Sequence, residues 1–336
     1  MSGRFEHKLQ TENYLEEKVK LYPNWLEKYY YSLANNTHAT KKQYISNVCM
    51  LLDSVAKEKE ITIKELKIED FDSFAINKYF TKKKKQIVRD KPISDSAIAT
   101  QITVLTSFFD FMTKSGYYEN NPMDNVVKRP SVPMKNEVSY LTSEELSVIM
   151  KNLQNGVGTH RARSRQARYK NRDKLLFLIP LSIGCRVSAL DEINISDIDF
   201  ENRTIKIIDK GNKYSEQYVP QEVIDIIKAW CHDRSKIPGA DKIDALFVTK
   251  KKEECARLTV SAVQRIIAKF SYGLDRKISP HELRRTFGTT VYRETGDILL
   301  TSQLLGHSSP TVTQRYASVD KRKAERLKDE IIKNLL

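Results

Sequence analysis

The sequence has little cysteine and no cysteine pattern. Four thiols in 336 residues, Cys49, Cys185, Cys231 and Cys255, form no Cys-x-x-Cys pair, which argues against a zinc ribbon or a disulfide framework. They read as reduced thiols in a cytoplasmic protein. The six histidines contain no close helical pair of the kind that grips zinc, so no metal site is expected. Long apolar runs are missing too: the longest, Leu175 to Gly184, is broken by Pro180 and is far too short to cross a bilayer. No apolar stretch follows the segment Met1 to Lys8, so neither a secretory signal nor a membrane partner is expected.

What is present is positive charge. Lys and Arg number 57 against 43 Asp and Glu, giving a formal net charge of +14, and 40% of residues are hydrophobic. That apolar share, at this length, is compatible with two domains that each have a core. The charge excess favours a polyanionic partner, nucleic acid first, over a merely soluble basic protein.

Residues 1–22 are charged and helix-compatible but carry no motif, and read as a leader of unknown role. From Pro23 the apolar period becomes helical: Trp25, Leu26, Tyr29, Tyr30 and Leu33 share one face until Asn35-Asn36 breaks it. Further helices are expected from Thr40 to Lys57, around Ile68 to Phe80, and from Ser94 to Lys114, where Gly116 ends the pattern. Residues 23–127 are therefore expected to form an all-helical domain with basic loops. Lys41 and Lys42, at an exposed helix start, and the run Lys82, Lys83, Lys84, Lys85 are its candidate phosphate contacts; the bland alternative is a solvated charge run.

Residues 128–137, with Pro130 and Pro133, read as a linker, and residues 138–336 as a second domain. Thr142 and Glu145 form a capping box that opens its first helix. Arg161, Arg163, Arg165 and Arg168, followed by Lys170, Arg172 and Lys174, suggest a DNA-facing loop. An apolar helix from Leu175 ends near Gly184 and delivers Arg186 at a turn. Arg203 to Ile208 and Gln217 to Pro220 flank Asp209-Lys210-Gly211-Asn212-Lys213, a β-hairpin with lysines at its tip. A short strand at Leu246 to Val248, a helix from Val260 to Phe270 and an amphipathic helix from Lys321 to Leu336 complete the expectation. The fold class is mainly α with a small β-sheet: a helical domain followed by an α+β domain.

The chemistry gathers between Ser279 and Tyr316. Ser279 and Glu282 form a second capping box, with Pro280 at the first helical position. His281 then lies in the first turn, where free N–H groups and the helix dipole favour an anion, and Arg284 follows on the same face. A helix from Asp297 to Leu305 ends at Gly306, so His307 emerges just beyond it, and Ser309-Pro310 starts a helix carrying Tyr316.

Taken in order, Arg186, Lys210, His281-x-x-Arg284, Gly306-His307 and Tyr316 resemble the catalytic set of the tyrosine recombinase (phage integrase) family, in its Xer-type and simple integrase branch. The resemblance runs from about Pro23 to Leu336. It implies a helical core-binding domain joined to a catalytic domain, acting as a site-specific DNA recombinase. Tyr316 would attack a phosphodiester to leave a 3′-phosphotyrosyl bond, Arg186 and Arg284 would hold the non-bridging oxygens, and Lys210 would protonate the departing 5′-oxygen. His281 would act as general base and His307 as a hydrogen-bond donor to the phosphate. Lys213 is the rival of Lys210 on the same turn, and Arg285 a weaker rival of Arg284.

The resemblance also implies no cofactor and no ATP, and double-stranded DNA as the partner. It implies a homo-tetramer on paired sites working through a Holliday junction, with accessory directionality factors among the partners. A topoisomerase-like DNA-relaxing enzyme and an inactive DNA-binding regulator are the alternatives. One residue departs from the family pattern: Ala189 stands where an acidic residue usually follows the first arginine, with Asp191 and Glu192 just after it. The N-terminal arm-binding domain of larger relatives is not expected.

Overall fold

The computed structural model describes residues 3–88, 90–126, 129–130, 139–209, 213–251, 254–306 and Thr313. The chain divides into two compact units, residues 3–134 and 135–336.

In the first unit, helices α1 (Gly3–Val19), α2 (Asn24–Ser32), α3 (His38–Lys59) and α4 (Ser73–Lys84) are followed by the two-residue antiparallel strands β1 (Ile87–Val88) and β2 (Lys91–Pro92) and by helix α5 (Asp95–Lys114). The starts are set by side-chain caps: Thr37, Asp72 and Ser94 each accept a hydrogen bond from the backbone N–H three residues on, supplying a partner that a helix N-terminus otherwise lacks. The core is aromatic, with Trp25 edge-on to Phe71 and Tyr29 edge-on to Phe108. The charged leader is part of this unit. Leu15 and Val19 of α1 join the same core, and Glu12 pairs with Lys41 at 3.0 Å. So narrow an apolar stripe is hard to see against the charge around it.

The lysine run of this unit does not sit in a loop. Lys82, Lys83 and Lys84 form the last turn of α4, where cations complement the carbonyl end of the helix dipole.

The second unit begins with α6 (Ser143–Asn155), α7 (His160–Ala167), α8 (Lys170–Ile183) and α9 (Val187–Glu192). Strands β3 (Ile198–Asp199), β4 (Thr204–Asp209) and β5 (Lys213–Tyr218) then form an antiparallel sheet in that order. Helix α10 (Gln221–Ser235) leads to a second hairpin, β6 (Val248–Lys251) with β7 (Glu254–Arg257). Helices α11 (Val260–Lys269), α12 (Pro280–Thr295) and α13 (Ile298–Leu304) complete the described part. α8 is the central strut, packed against α6, α10, α11 and α12. Its Leu175, Leu176, Phe177 and Ile179 are fully buried, as the apolar run after its charged first turn requires.

The arginine-rich segment is a helix rather than the expected loop. Thr159 caps α7 by accepting from the Ala162 N–H at 3.3 Å, and Arg161, Arg163, Arg165 and Arg168 are all exposed. Arg172, from the same run, is buried in α8: its guanidinium holds Asp173, donates to the Val248 carbonyl at 3.0 Å and lies 4.0 Å from the Tyr169 ring centroid. The helices expected after Ser309 and from Lys321 to Leu336 fall outside the described residues.

Candidate active site

Helix α12 presents His281 and Arg284. Pro280 occupies its first position, and the Ser279–Glu282 capping box is formed in both directions, which fixes where the first turn begins. Arg284 is only 5% exposed. Its guanidinium donates to the Gly184 carbonyl at 2.7 Å and to the Leu305 carbonyl. Gly184 ends α8 two residues before Arg186, and Leu305 ends α13 two residues before His307. One buried arginine therefore ties together the two helix ends that lead to Arg186 and His307. It also satisfies carbonyls that have no partner within their helices.

Gly184 is required here on two counts. Its φ of +62° is the left-handed region that favours glycine, and a Cβ would lie 2.4 Å from Cδ1 of Phe287 on α12. Nothing about Gly184 beyond a helix stop is legible in the sequence, because the close approach of α12 is a tertiary fact.

Arg186 is the N-cap of α9, in extended conformation, and its carbonyl accepts from the N–H groups of Ala189 and Leu190 at 3.0 and 2.9 Å. The chain turns sharply there, and the side chain is part-buried. Ala189 packs into the apolar core at 3% exposure, so a carboxylate at this position would be buried among apolar side chains. Asp191 and Glu192, both part-buried, are the nearby acids.

His281 has its pKa lowered from the ordinary 6.5, first by burial of the ring and then by the positive charges of Arg285, Arg284 and Arg186. The residue retains exposed surface, so burial of the ring is partial and the neighbouring positive charges share in the effect. Three guanidinium groups act on one imidazole and favour its neutral form. Such a cluster stabilises an anion and leaves the imidazole able to take a proton.

Hairpin strands β4 and β5 pair in register from Thr204↔Tyr218 to Asp209↔Lys213. Lys210 itself, His307 and Tyr316 lie outside the described residues. Among the described residues no group of three or more His, Cys, Asp or Glu side chains could hold a metal ion.

The lysines expected on DNA fall into two classes. Lys41 is buried on Glu12 with its ammonium over the Tyr30 ring, Lys82 pairs with Glu58 at 2.6 Å, and Lys83 is tucked against the Tyr79 hydroxyl at 3.1 Å, where burial lowers its pKa. Lys42, Lys84 and Lys85 are exposed, as are the four arginines from α7 to its end. None of the four cysteines is in a disulfide, and Cys49 and Cys185 are buried. No described helix is long and apolar enough to cross a membrane.

Residues 139–323 match the model of the phage integrase family. Over 151 residues the chain is 33% identical to a tyrosine recombinase XerC of Shewanella oneidensis, a match that covers 44% of this chain and 48% of that protein. It is 25% identical over 337 residues to a tyrosine recombinase XerS of Lactococcus lactis, covering 90% of this chain and 94% of that protein. The fold matches a XerH site-specific recombinase bound to a palindromic difH substrate in a post-cleavage complex, with a TM-score of 0.65 at 22% identity over 90% of this chain and 82% of that one. With the family model spanning more than half of its 336 residues, the chain belongs to the phage integrase family and is a tyrosine recombinase, an enzyme that breaks and rejoins DNA strands.

Proposed function

We propose that this recombinase acts at specific sites on double-stranded DNA, with Tyr316 as nucleophile and Arg186, Lys210, His281, Arg284 and His307 as its catalytic partners. The reading is carried by one observation: Arg284 holds the carbonyls of Gly184 and Leu305, drawing the turns that lead to Arg186 and His307 to the helix that bears His281. A scissile phosphate in that cradle would meet two guanidinium groups able to fork onto its non-bridging oxygens. His281, held neutral, takes the proton of the attacking hydroxyl. Lys210 returns a proton to the 5′-oxygen as it leaves. The phosphotyrosyl bond retains the energy of the broken diester, so rejoining needs no nucleotide. The positive charge supplied by the two arginines does the work that a metal would otherwise do.

DNA-bound assembly is that of a homo-tetramer on paired sites, resolved through a Holliday junction, with accessory factors setting direction and the cytoplasm as the place of action. Support for DNA as the partner comes from the exposed arginines of α7 and the net charge of +14. The test is Tyr316→Phe on a nicked suicide substrate. Wild-type protein is expected to be trapped covalently on the DNA 3′-phosphate, and the variant to bind the same DNA without forming the adduct. An adduct that survives the substitution refutes Tyr316 as nucleophile.

A further inference from the structure

The first described residues after position 138 do not simply lead into α6; they lie along the outside of α12. Ser139 donates its hydroxyl to Oε1 of Glu282 at 3.1 Å. The N–H of Leu141 donates to Oγ1 of Thr286 at 2.9 Å, and Thr286 in turn donates to the Glu282 carbonyl at 2.7 Å. Arg293, about two turns further along, stacks its guanidinium 4.6 Å from the Tyr140 ring centroid and donates to the Tyr140 hydroxyl.

Arg276 closes this arrangement. It pairs with Glu282 of the α12 capping box and with Glu145 of the α6 capping box at 3.0 Å, and it donates to the Tyr140 carbonyl at 3.3 Å. Two helix starts and the strap between them thus share one guanidinium.

Glu282 is the centre of this hub and is only 8% exposed. Its Oε2 accepts from both the N–H and the hydroxyl of Ser279, at 2.8 and 3.0 Å, while its Oε1 takes Ser139 and Arg276. A capping box needs only the Oε2 half. The other half is surplus to capping, and it sits one residue from His281 and two from Arg284.

We propose that Glu282 is a positioning residue for strand cleavage: through its second carboxylate oxygen, Arg276 and the strap at 139–142 fix the first turn of α12, and so the placement of His281 and Arg284. This rests on the reading of those two as phosphate-holding groups. A placement error of about 1 Å at a reacting centre is enough to cost about a hundredfold in rate, and this hub is the part of the described structure that restrains the turn from outside.

The experiment compares single-turnover cleavage of a suicide substrate, DNA affinity and thermal melting for the full chain, four single variants and one double variant. Glu282→Gln keeps an oxygen for the Ser279 cap but turns an amide N–H₂ toward Arg276. It is expected to lower the cleavage rate about tenfold to a hundredfold, well beyond what its loss of melting temperature explains, with affinity unchanged. Arg276→Lys, which restores a cation, is expected to retain most of the rate. Ser139→Ala is expected to slow cleavage in the wild-type background and to have no further effect combined with Glu282→Gln, because its hydroxyl acts through that carboxylate.

Arg284→Ala separates this inference from the one beneath it. If Arg284→Ala cleaves normally, the phosphate-holding reading fails. If Arg284→Ala is inactive while Glu282→Gln cleaves at the wild-type rate, the positioning role alone is overturned. Parallel loss of cleavage, affinity and melting temperature in Glu282→Gln overturns it as well. Should that variant not fold, Ser139→Ala, which leaves the capping box intact, decides: an unchanged cleavage rate rejects the proposal.

Discussion

Gly184 shows how much can rest on the absence of one side chain. Alanine there would hold a left-handed φ and press its Cβ into the ring of Phe287 at 2.4 Å. Gly184→Ala is expected to cost about 1–3 kcal/mol in a denaturant titration. Cleavage should fall further than stability explains, because the Gly184 carbonyl is one of the two that hold Arg284. Wild-type stability and rate in the variant would show that α8 and α12 are not closely apposed.

His281 carries a pH signature whose sign follows from the direction of its shift. Its pKa in the folded chain lies below the unfolded 6.5, so as pH falls below about 6.5 the unfolded chain takes up the proton first. The folded state is therefore undisturbed by this group above that pH and loses stability as the solution becomes more acid, until the folded pKa is passed. His281→Gln should remove that part of the acid-side loss. Urea titrations at pH 7.5 and 5.5 check it, and an identical pH dependence in both proteins would count against a depressed His281. The histidine, its helix start and its arginine neighbour at 284 are legible from Ser279-Pro280-His281-Glu282-Leu283-Arg284 alone. The grip of Arg284 on two distant carbonyls is not, because partners 100 and 21 residues away leave no local pattern.

At the scale of the element, α7 separates charge that faces solvent from charge that holds the core. Arg161, Arg165 and Arg168 recur at helical spacing and are exposed, whereas Arg172 is sealed against Asp173 and Tyr169. Replacing the first three by alanine is expected to leave melting unchanged and to reduce the slope of log affinity against log salt by about 0.9 for each arginine that meets a phosphate. Arg172→Ala is expected to do the opposite, destabilising the fold by stranding a buried carboxylate partly balanced by Lys269 at 3.5 Å. A triple variant with an undiminished salt slope would remove α7 from the DNA surface.

The sequence could not separate these arginines, since density of charge reads the same in a loop, on a helix face or inside an ion pair. Capping residues made α3, α5, α6 and α12 legible, and an apolar face made α2 so. By contrast, α1 buries a narrow stripe amid charged residues, and β7 begins Glu254-Cys255-Ala256-Arg257, with no alternation to mark a strand.

Over the whole molecule, the two units each have their own apolar core, one built on Trp25, Tyr29 and Phe108, the other on α8 with Trp230 and Phe247. Every residue proposed for the chemistry, from Arg186 to Tyr316, belongs to the second unit, residues 135–336. The first unit supplies exposed lysines such as Lys84 and Lys85, and none of the six proposed catalytic groups. Affinity and chemistry should therefore separate on cutting the chain. A polypeptide of residues 135–336 is expected to fold, to keep covalent attachment to a suicide substrate, and to need lower salt and higher protein concentration, because phosphate contacts made by the first unit are gone. Gel analysis of the trapped adduct across a salt series measures this. A folded fragment that binds DNA as tightly as the full chain would remove the first unit from the DNA interface; a folded fragment that binds but never attaches would mean that a group from residues 3–134 completes the active site.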